Sequence, residues 1–347
     1  MATPVTIRQV AEAAGVSPAT VSRVLSGTRR VAPELRAKTL AAVELLDYRA
    51  NRVARALRTR STGTVGMVVP NIANPFFPVV IQAVEKELRR HAVRLLLCDS
   101  GDDVGQEAEL VRSLLDHRID GILISPCDRI SSRGALRAAA AQVPLVQVDR
   151  LAVSDVAYVG VDQQSAMTEL VEHLISQGCR RFAYVSSSSR PYTAAERRRA
   201  YRRCVRALDP RSAERIYEGS FSLDWGREAA SRILGEGDLP DAIVCGNDSV
   251  ALGALGALRA HSVRVPADIL LTGFDDTDLA GVAWPPLTSV RQPLEAIGRR
   301  AAELVLGGDN EGVPATKTLF PAELVVRGSS CRQRAEAPSL VGLPASG

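Results

Sequence analysis

The residues with the clearest chemistry lie in the segment TIRQVAEAAGVSPATVSRVLSG, residues 6–27. Arg23 carries a planar, permanently charged guanidinium that can bind guanine through O6 and N7, and Thr20 and Ser22 can bond phosphates or base edges. Pro18 and Ala19 offer only apolar or shape contacts. For these side chains to act together, a short helix must present them on one side. The spacing predicts that helix and a partner. Thr6 followed by Gln9 is a capping box, and Ile7, Val10, Ala11 and Ala14 form one apolar face. Gly15 supplies a tight turn. Ser17 suits the N-cap and Pro18 the first helical position, with Val21, Val24 and Leu25 facing inward. Two such helices joined by a glycine turn make a helix-turn-helix, whose second helix places its first residues at the base edges of a major groove.

A second group of chemistry-bearing residues lies after apolar, strand-like runs. They are Asn71, Asn74, Phe76 and Phe77, then Asp149 and Arg150, then Asp162, and later Phe221, Asn247 and Asp275. Carboxylates, amides and arginine bond vicinal hydroxyls in pairs, while phenylalanine faces cover apolar ring surface. That combination suits a small polar ring such as a sugar. Taken singly, Asn and Asp beside strand ends also serve as turn and helix caps.

These positions imply elements that alternate. Strands are expected at 65–70, 95–100, 121–125, 145–149, 158–162, 182–186, 242–246, 269–274 and 287–293, with helices such as 76–91, 106–118, 164–177 and 223–234 between them. The pattern predicts parallel sheets with helical crossovers, too many strands for one sheet. The expected fold is α/β, with two doubly wound subdomains facing a cleft, and ligands bind at the carboxyl ends of such strands. A third helix of the head is expected from Pro33 to about Leu46, with Leu40 and Val43 inward.

Charge separates the two parts. Of 347 residues, the first 60 hold eleven Lys and Arg against four Asp and Glu, a balance of +7, while the remaining 287 hold 32 against 35, a balance of −3. A basic head on a mildly acidic body suggests a polyanionic partner for the head. Arginine outnumbers lysine forty to three throughout the chain; an excess spread so evenly is read as codon composition and not as function. The segment YRANRVARALRTRST adds Arg49, Arg52, Arg55, Arg58 and Arg60 around an apolar strip of Val53, Ala54 and Leu57. It is too short to hold a helix alone; it is expected either as a solvated linker or as a helix formed on DNA, with Leu57 wedged between base steps.

VTIRQVAEAAGVSPATVSRVLSG followed by NRVARALR resembles the lac-repressor/galactose-repressor family of bacterial transcription regulators. The resemblance continues in NPFF, VGVD, CGNDSVALGAL, LLTGFDD, PPLTSVRQP and ELVVRGS, to about residue 331. It implies a helix-turn-helix head, a hinge helix at about 50–59 and a type I periplasmic-binding-protein-like body. Thr6, Ser17, Pro18, Ala19, Thr20, Ser22 and Arg23, with Asn51, Arg52, Ala54, Arg55 and Leu57 of the hinge, are the expected DNA contacts. Phe76, Arg197, Phe221, Asn247 and Asp275 are the effector contacts it carries over. Domains are expected at 1–60 and 61–332, with crossovers between subdomains near 161, 290 and 320, and a disordered tail at 333–347. Two stretches depart from the family: Ala32 replaces the usual serine cap of the third helix, and SSSSRPYTAAE (186–196), followed by Arg-Arg-Arg-Ala-Tyr, lacks the usual glycines.

The alternatives read differently. An enzyme needs a constellation, and none is present: the four histidines are not at metal spacing, no G-x-S-x-G surrounds the serine run, and no glycine-rich phosphate loop occurs. No metal or cofactor is expected. A solute-binding protein would share the body but carry an export signal and no basic head. The expectation is therefore a cytoplasmic repressor, free of the membrane, that binds a palindromic operator as a homodimer. Its effector is expected to be a sugar, with a nucleobase corepressor as the alternative. The six cysteines have no C-x-x-C spacing and are expected reduced.

Overall fold

The computed structural model describes residues 5–26, 31–48, 61–206, 208–209, 215–307 and 315–332. The chain divides into two compact units, Met1–Gly63 and Thr64–Gly347. The hinge positions Asn51, Arg52, Ala54, Arg55 and Leu57 and the tail from residue 333 lie outside the described residues.

The first unit is built from α1 (Ile7–Ala14), α2 (Pro18–Ser26) and α3 (Pro33–Leu45). Val10, Ala11, Ala14, Val21 and Ala42 form its core, with Ile7, Leu25 and Val43 packed against it. The third helix corrects one expectation: Leu40 is 44% exposed, while Thr39 is fully buried beside Ala42. The Thr39 hydroxyl donates to the Leu35 carbonyl at 2.7 Å. Its only polar group is thereby satisfied within the helix, so its methyl can face the core. Ala32 precedes this helix without a side-chain cap bond.

The second unit begins with β1 (Thr64–Val69), α4 (Phe76–Arg90), β2 (Arg94–Asp99), α5 (Val104–Asp116), β3 (Gly121–Ile124), α6 (Arg133–Ala140), β4 (Leu145–Val148) and β5 (Ala157–Val161). It continues with α7 (Gln163–Ser176), β6 (Phe182–Ser187), α8 (Tyr192–Arg206), β7 (Ile216–Gly219), α9 (Leu223–Gly235), β8 (Ala242–Cys245), α10 (Asp248–Ala260) and β9 (Leu270–Thr272). The last elements are α11 (Asp278–Val282), β10 (Ser289–Arg291), α12 (Leu294–Gly307), β11 (Lys317–Phe320) and β12 (Glu323–Val325).

Two sheets organise this unit. One has the order β11-β5-β4-β3-β1-β2, the other β7-β6-β8-β9, and both are parallel throughout. Their central strands are buried along their whole length, as parallel strands covered by helices on both faces must be. An apolar cluster lies on each face of each sheet: those of the first centre on Val146 and Ile122, those of the second on Ile243 and Val244. The chain leaves the first sheet after β5, returns to it through β10 and α12, and leaves again after β11. β10 pairs antiparallel with β12, so residues 289–291 form part of the connection and not of either large sheet. β7, β11 and β12 were not among the expected strands; they are short and only half-buried, so their apolar alternation is weak.

Candidate DNA-contacting face and effector cleft

In the first unit, local bonds set the recognition geometry. Thr6 and Gln9 exchange capping bonds, Thr6 N donating to Gln9 Oε1 at 2.8 Å and Gln9 N to Thr6 Oγ1 at 3.5 Å. Gly15 adopts φ +64°, a left-handed turn that other residues enter at a cost, and its N–H and that of Val16 close the end of α1. Thr20 N then donates to Ser17 Oγ at 3.1 Å, which starts α2. With Val21 and Val24 buried, Pro18, Ala19 and Arg23 are exposed and Thr20 and Ser22 half-exposed on the remaining surface. The start of α2 thus offers hydroxyls and a guanidinium on its exposed surface. That arrangement suits phosphate oxygens and base edges.

In the second unit, one small cavity gathers Asn74, Phe76, Phe77, Asp149, Arg150, Thr193, Arg197, Phe221, Asn247 and Asp275. Nine of the eleven expected effector residues meet there. Asn71 and Asp162 do not line it: Asn71 Oδ1 accepts from Ala73 N at 2.9 Å in a turn, and Asp162 caps α7 by accepting from Gln164 N and Ser165 N. Thr193 lines the cavity without being an expected contact. Its signal is only its place, one turn before Arg197 at the start of α8.

Strand ends from both sheets deliver these groups. Asp149 and Arg150 follow β4 of the first sheet; Asn247 follows β8, and Asp275 follows β9, of the second. Asp149 and Asp275 both hold positive φ, +64° and +105°. Asp275 N donates to Val290 O at 2.9 Å, and Gln292 Nε2 donates to Asp275 Oδ1 at 2.8 Å. Asn247 is partly a structural cap, since its Oδ1 accepts from Val250 N at 3.0 Å.

The electrostatics are those of buried, compensated charge. Arg197 is 3% exposed; its Nε donates to Gln163 Oε1 at 2.7 Å and its NH1 to Gly246 O at 2.6 Å. Arg150 NH1 donates to Asp102 Oδ1 at 3.1 Å. Burial pushes the Asp275 carboxyl well above the usual carboxylate range, with Arg197 pulling against it. Burial also raises Asp149, opposed by Arg197 and Arg150. Asp149 Oδ1, Arg150 Nε, Gln163 Nε2 and Gln292 Oε1 are buried without a hydrogen-bond partner among the described residues. The group contains both acceptors and donors, two carboxyls against two guanidiniums. It can therefore offer a hydroxylated ring both kinds of hydrogen-bond partner. The cavity itself measures only about 20 Å³, room for about one water molecule, so a ring enters only if the two walls part.

A larger groove of about 580 Å³ runs along α7 and β11, and one of about 740 Å³ beside Asp276 and Leu279 shares Asp275 with the small cavity. Among the described residues, no group of three or more His, Cys, Asp or Glu is arranged to hold a metal ion. Nor is any described helix long and apolar enough to cross a membrane.

Comparison with known proteins places both units. Residues 6–51 match the family described as bacterial regulatory proteins, lacI family, and residues 171–330 match the periplasmic binding protein-like domain. The chain is 34% identical over 326 residues to the HTH-type transcriptional repressor PurR of Vibrio vulnificus, covering 93% of this chain and 97% of that protein. It is 33% identical over 304 residues to catabolite control protein A of Priestia megaterium, covering 87% and 91%. Among solved structures, the lac repressor dimer bound to operator and the anti-inducer ONPF superposes with a TM-score of 0.85 at 27% identity, covering 95% of this chain and all of that one. The transcriptional regulator CelR–cellobiose complex superposes with a TM-score of 0.67 at 30% identity, covering 94% and 99%. These relatives are regulators, not enzymes. A capped helix-turn-helix with a polar recognition face, two parallel α/β layers and these matches together show that the chain belongs to the lacI family of bacterial regulatory proteins and is a DNA-binding transcriptional repressor.

Proposed function

We propose that the chain is an effector-responsive repressor that binds a near-palindromic operator as a homodimer in the cytoplasm, with a sugar held between the two α/β subdomains. The observation that carries the reading is the buried set Asp149, Arg150, Arg197 and Asp275, whose unpartnered atoms include both hydrogen-bond donors and acceptors. A sugar hydroxyl both donates and accepts, so one ring satisfies both kinds. The structural likeness to a cellobiose complex supports a sugar.

The likeness to a repressor dimer on its operator supports twofold binding. A single recognition helix covers few base pairs, and two heads related by symmetry read two half-sites. On this reading Thr6, Ser17, Pro18, Ala19, Thr20, Ser22 and Arg23, with Asn51, Arg52, Ala54, Arg55 and Leu57, meet DNA. Effector and operator affinities are then coupled reciprocally. The domain division proposed is a head of residues 1–60, a body of 61–332 and a tail.

A nucleobase corepressor is the second reading, favoured by Phe76 and Phe221, two of the three phenylalanines in the cleft wall, which can flank a planar ring. Footprinting on fragments of the source genome, with a panel of sugars and nucleobases, decides between them. A protected palindrome erased by one sugar supports the first reading. A palindrome protected only with a nucleobase supports the second, and no protected site at low salt overturns both.

A further inference from the structure

The segment SSSSRPY, which departs from the family pattern, forms a bridge between the two halves of the second unit. Arg190 follows β6 of the second sheet, and Asp128 follows β3 of the first. Arg190 Nε donates to Asp128 Oδ2 at 3.0 Å. The main chain adds a second bond, Arg129 N to Arg190 O at 3.0 Å, and Arg129 Nε reaches Ser189 O at 3.4 Å. None of these residues belongs to the connections at β5–α7, β10–α12 or β11–β12 that join the halves covalently.

Asp128 is built for the contact. Its side chain is 11% exposed, and its Oδ1 accepts from Ile130 N and Ser131 N at 2.7 and 3.0 Å. That turn leaves Oδ2 aimed at Arg190. Both loops border the cleft: Arg150 of the cleft wall reaches Pro126 O at 3.5 Å, and Thr193 lies three residues beyond Arg190. Behind them the cavity of about 20 Å³ has no room for a ring.

We propose that the loops after β3 and β6 form a clasp on the rim of the cleft, pinned by Asp128 and Arg190, which must part before a ligand can pass. The passage of a ligand rests on the function proposed above; the clasp itself does not, and its test uses no ligand. Because Arg190 is 59% exposed, its pair is weak enough to open thermally, as a gate requires, yet its loss shifts the balance. Arg190→Gln removes the charge while keeping the main-chain acceptor. Asp128→Asn removes the charge while keeping an oxygen for the turn, and Arg190→Lys restores a cation.

Hydrogen exchange by mass spectrometry on the full chain reads the result. Arg190→Gln and Asp128→Asn are each expected to speed exchange in peptides covering residues 127–131 and 186–191 by about two- to five-fold. Peptides carrying Asp149 and Thr193, on the facing walls, rise with them, while the β3 core does not change. The double variant exceeds neither single one, and Arg190→Lys stays near the parent. Unchanged exchange in both single variants overturns the clasp, as does a rise shared equally by β3. Faster loops without Asp149 and Thr193 overturn its role as a gate, since the contact would then be local to the two loops.

Discussion

The guanidinium of Arg197 lies 3.5 Å above the ring of Phe274 and 3.7 Å from the carboxylate of Asp275. Both charged side chains are at most 5% exposed. The cation is therefore held on an aromatic face with the Asp275 carboxyl beside it, in a place almost closed to water. Gln163 and Gly246 fix the guanidinium from the other sides. Its position is thereby set before any ligand arrives.

Asp275→Ala should abolish the effector response, since it removes a carboxyl and leaves Arg197 buried beside an unpaired Gln292. Removing one member of a buried pair costs about 3–5 kcal/mol, so urea unfolding of the body should move accordingly. Asp275→Asn, which keeps a hydrogen-bonding group of the same shape, should cost less stability and still lose the response. Operator affinity without effector should remain. The check is a mobility-shift titration with and without the compound that footprinting identifies; a retained response places the ligand elsewhere.

Arg23→Ala should weaken operator binding by about 1–3 kcal/mol and relax preference at one base pair, if the exposed guanidinium reads guanine. Binding to variant operators measures this. An equal loss on every sequence, with a salt slope smaller by about one, would make Arg23 a phosphate contact.

Asp248 makes part of the body's stability pH-dependent. It is buried beneath Thr277 and Ser289, accepting from Thr277 N at 2.6 Å and from Ser289 Oγ at 2.6 Å. Burial lifts its pKa from 3.8 to about 6, against those hydrogen bonds. A raised carboxyl binds more protons folded than unfolded. The stability from its protonated form is therefore full below about pH 4, declines as pH rises from 3.8 towards 6, and is gone above that. The shift corresponds to ~3 kcal/mol. Asp248→Asn should flatten the stability profile between pH 4 and 6 relative to the parent, measured by denaturation at stepped pH. An unchanged slope would show that the carboxyl titrates normally.

Gly226 and Gly253 let α9 and α10 cross with their backbones nearly touching. A Cβ on Gly226 would stand 2.0 Å from the carbonyl oxygen of Val250, and one on Gly253 2.0 Å from that of Leu223. Neither obstacle is a flexible side chain, so the helices must separate. Gly226→Ala should destabilise the body by about 1–3 kcal/mol or more. Trp225, the adjacent residue, donates its indole N–H to Ser186 O at 2.9 Å and should report the change in fluorescence during urea unfolding. A midpoint within error of the parent would contradict the close crossing.

What the sequence determined by itself was everything that depends on neighbours a few residues away. The Thr6–Gln9 box, the Gly15 turn and the Ser17 start of α2 are contacts within three or four positions, so residue type and spacing define them. The fully buried parallel strands were equally plain, because burial on both faces demands long apolar runs such as those around Ile122 and Val244. Tertiary structure decided what depends on residues far apart. Leu40 and Thr39 look reversed in sequence, since an apolar side chain is the natural core candidate; only the bond from Thr39 to Leu35 and the packing against Ala42 set the register. Asn71 and Asp162 share residue type and strand-end position with Asn74 and Asp149, yet they do not reach the cleft, whereas Asn74 lines it even while its Oδ1 accepts from Phe76 N; the direction of the chain leaving each strand determines which side chain reaches the cleft. The pairing of Asp128 with Arg190, 62 residues apart, has no local signature at all. It exists because two sheets bring two loops together, and a sequence read along its length contains no term for that distance.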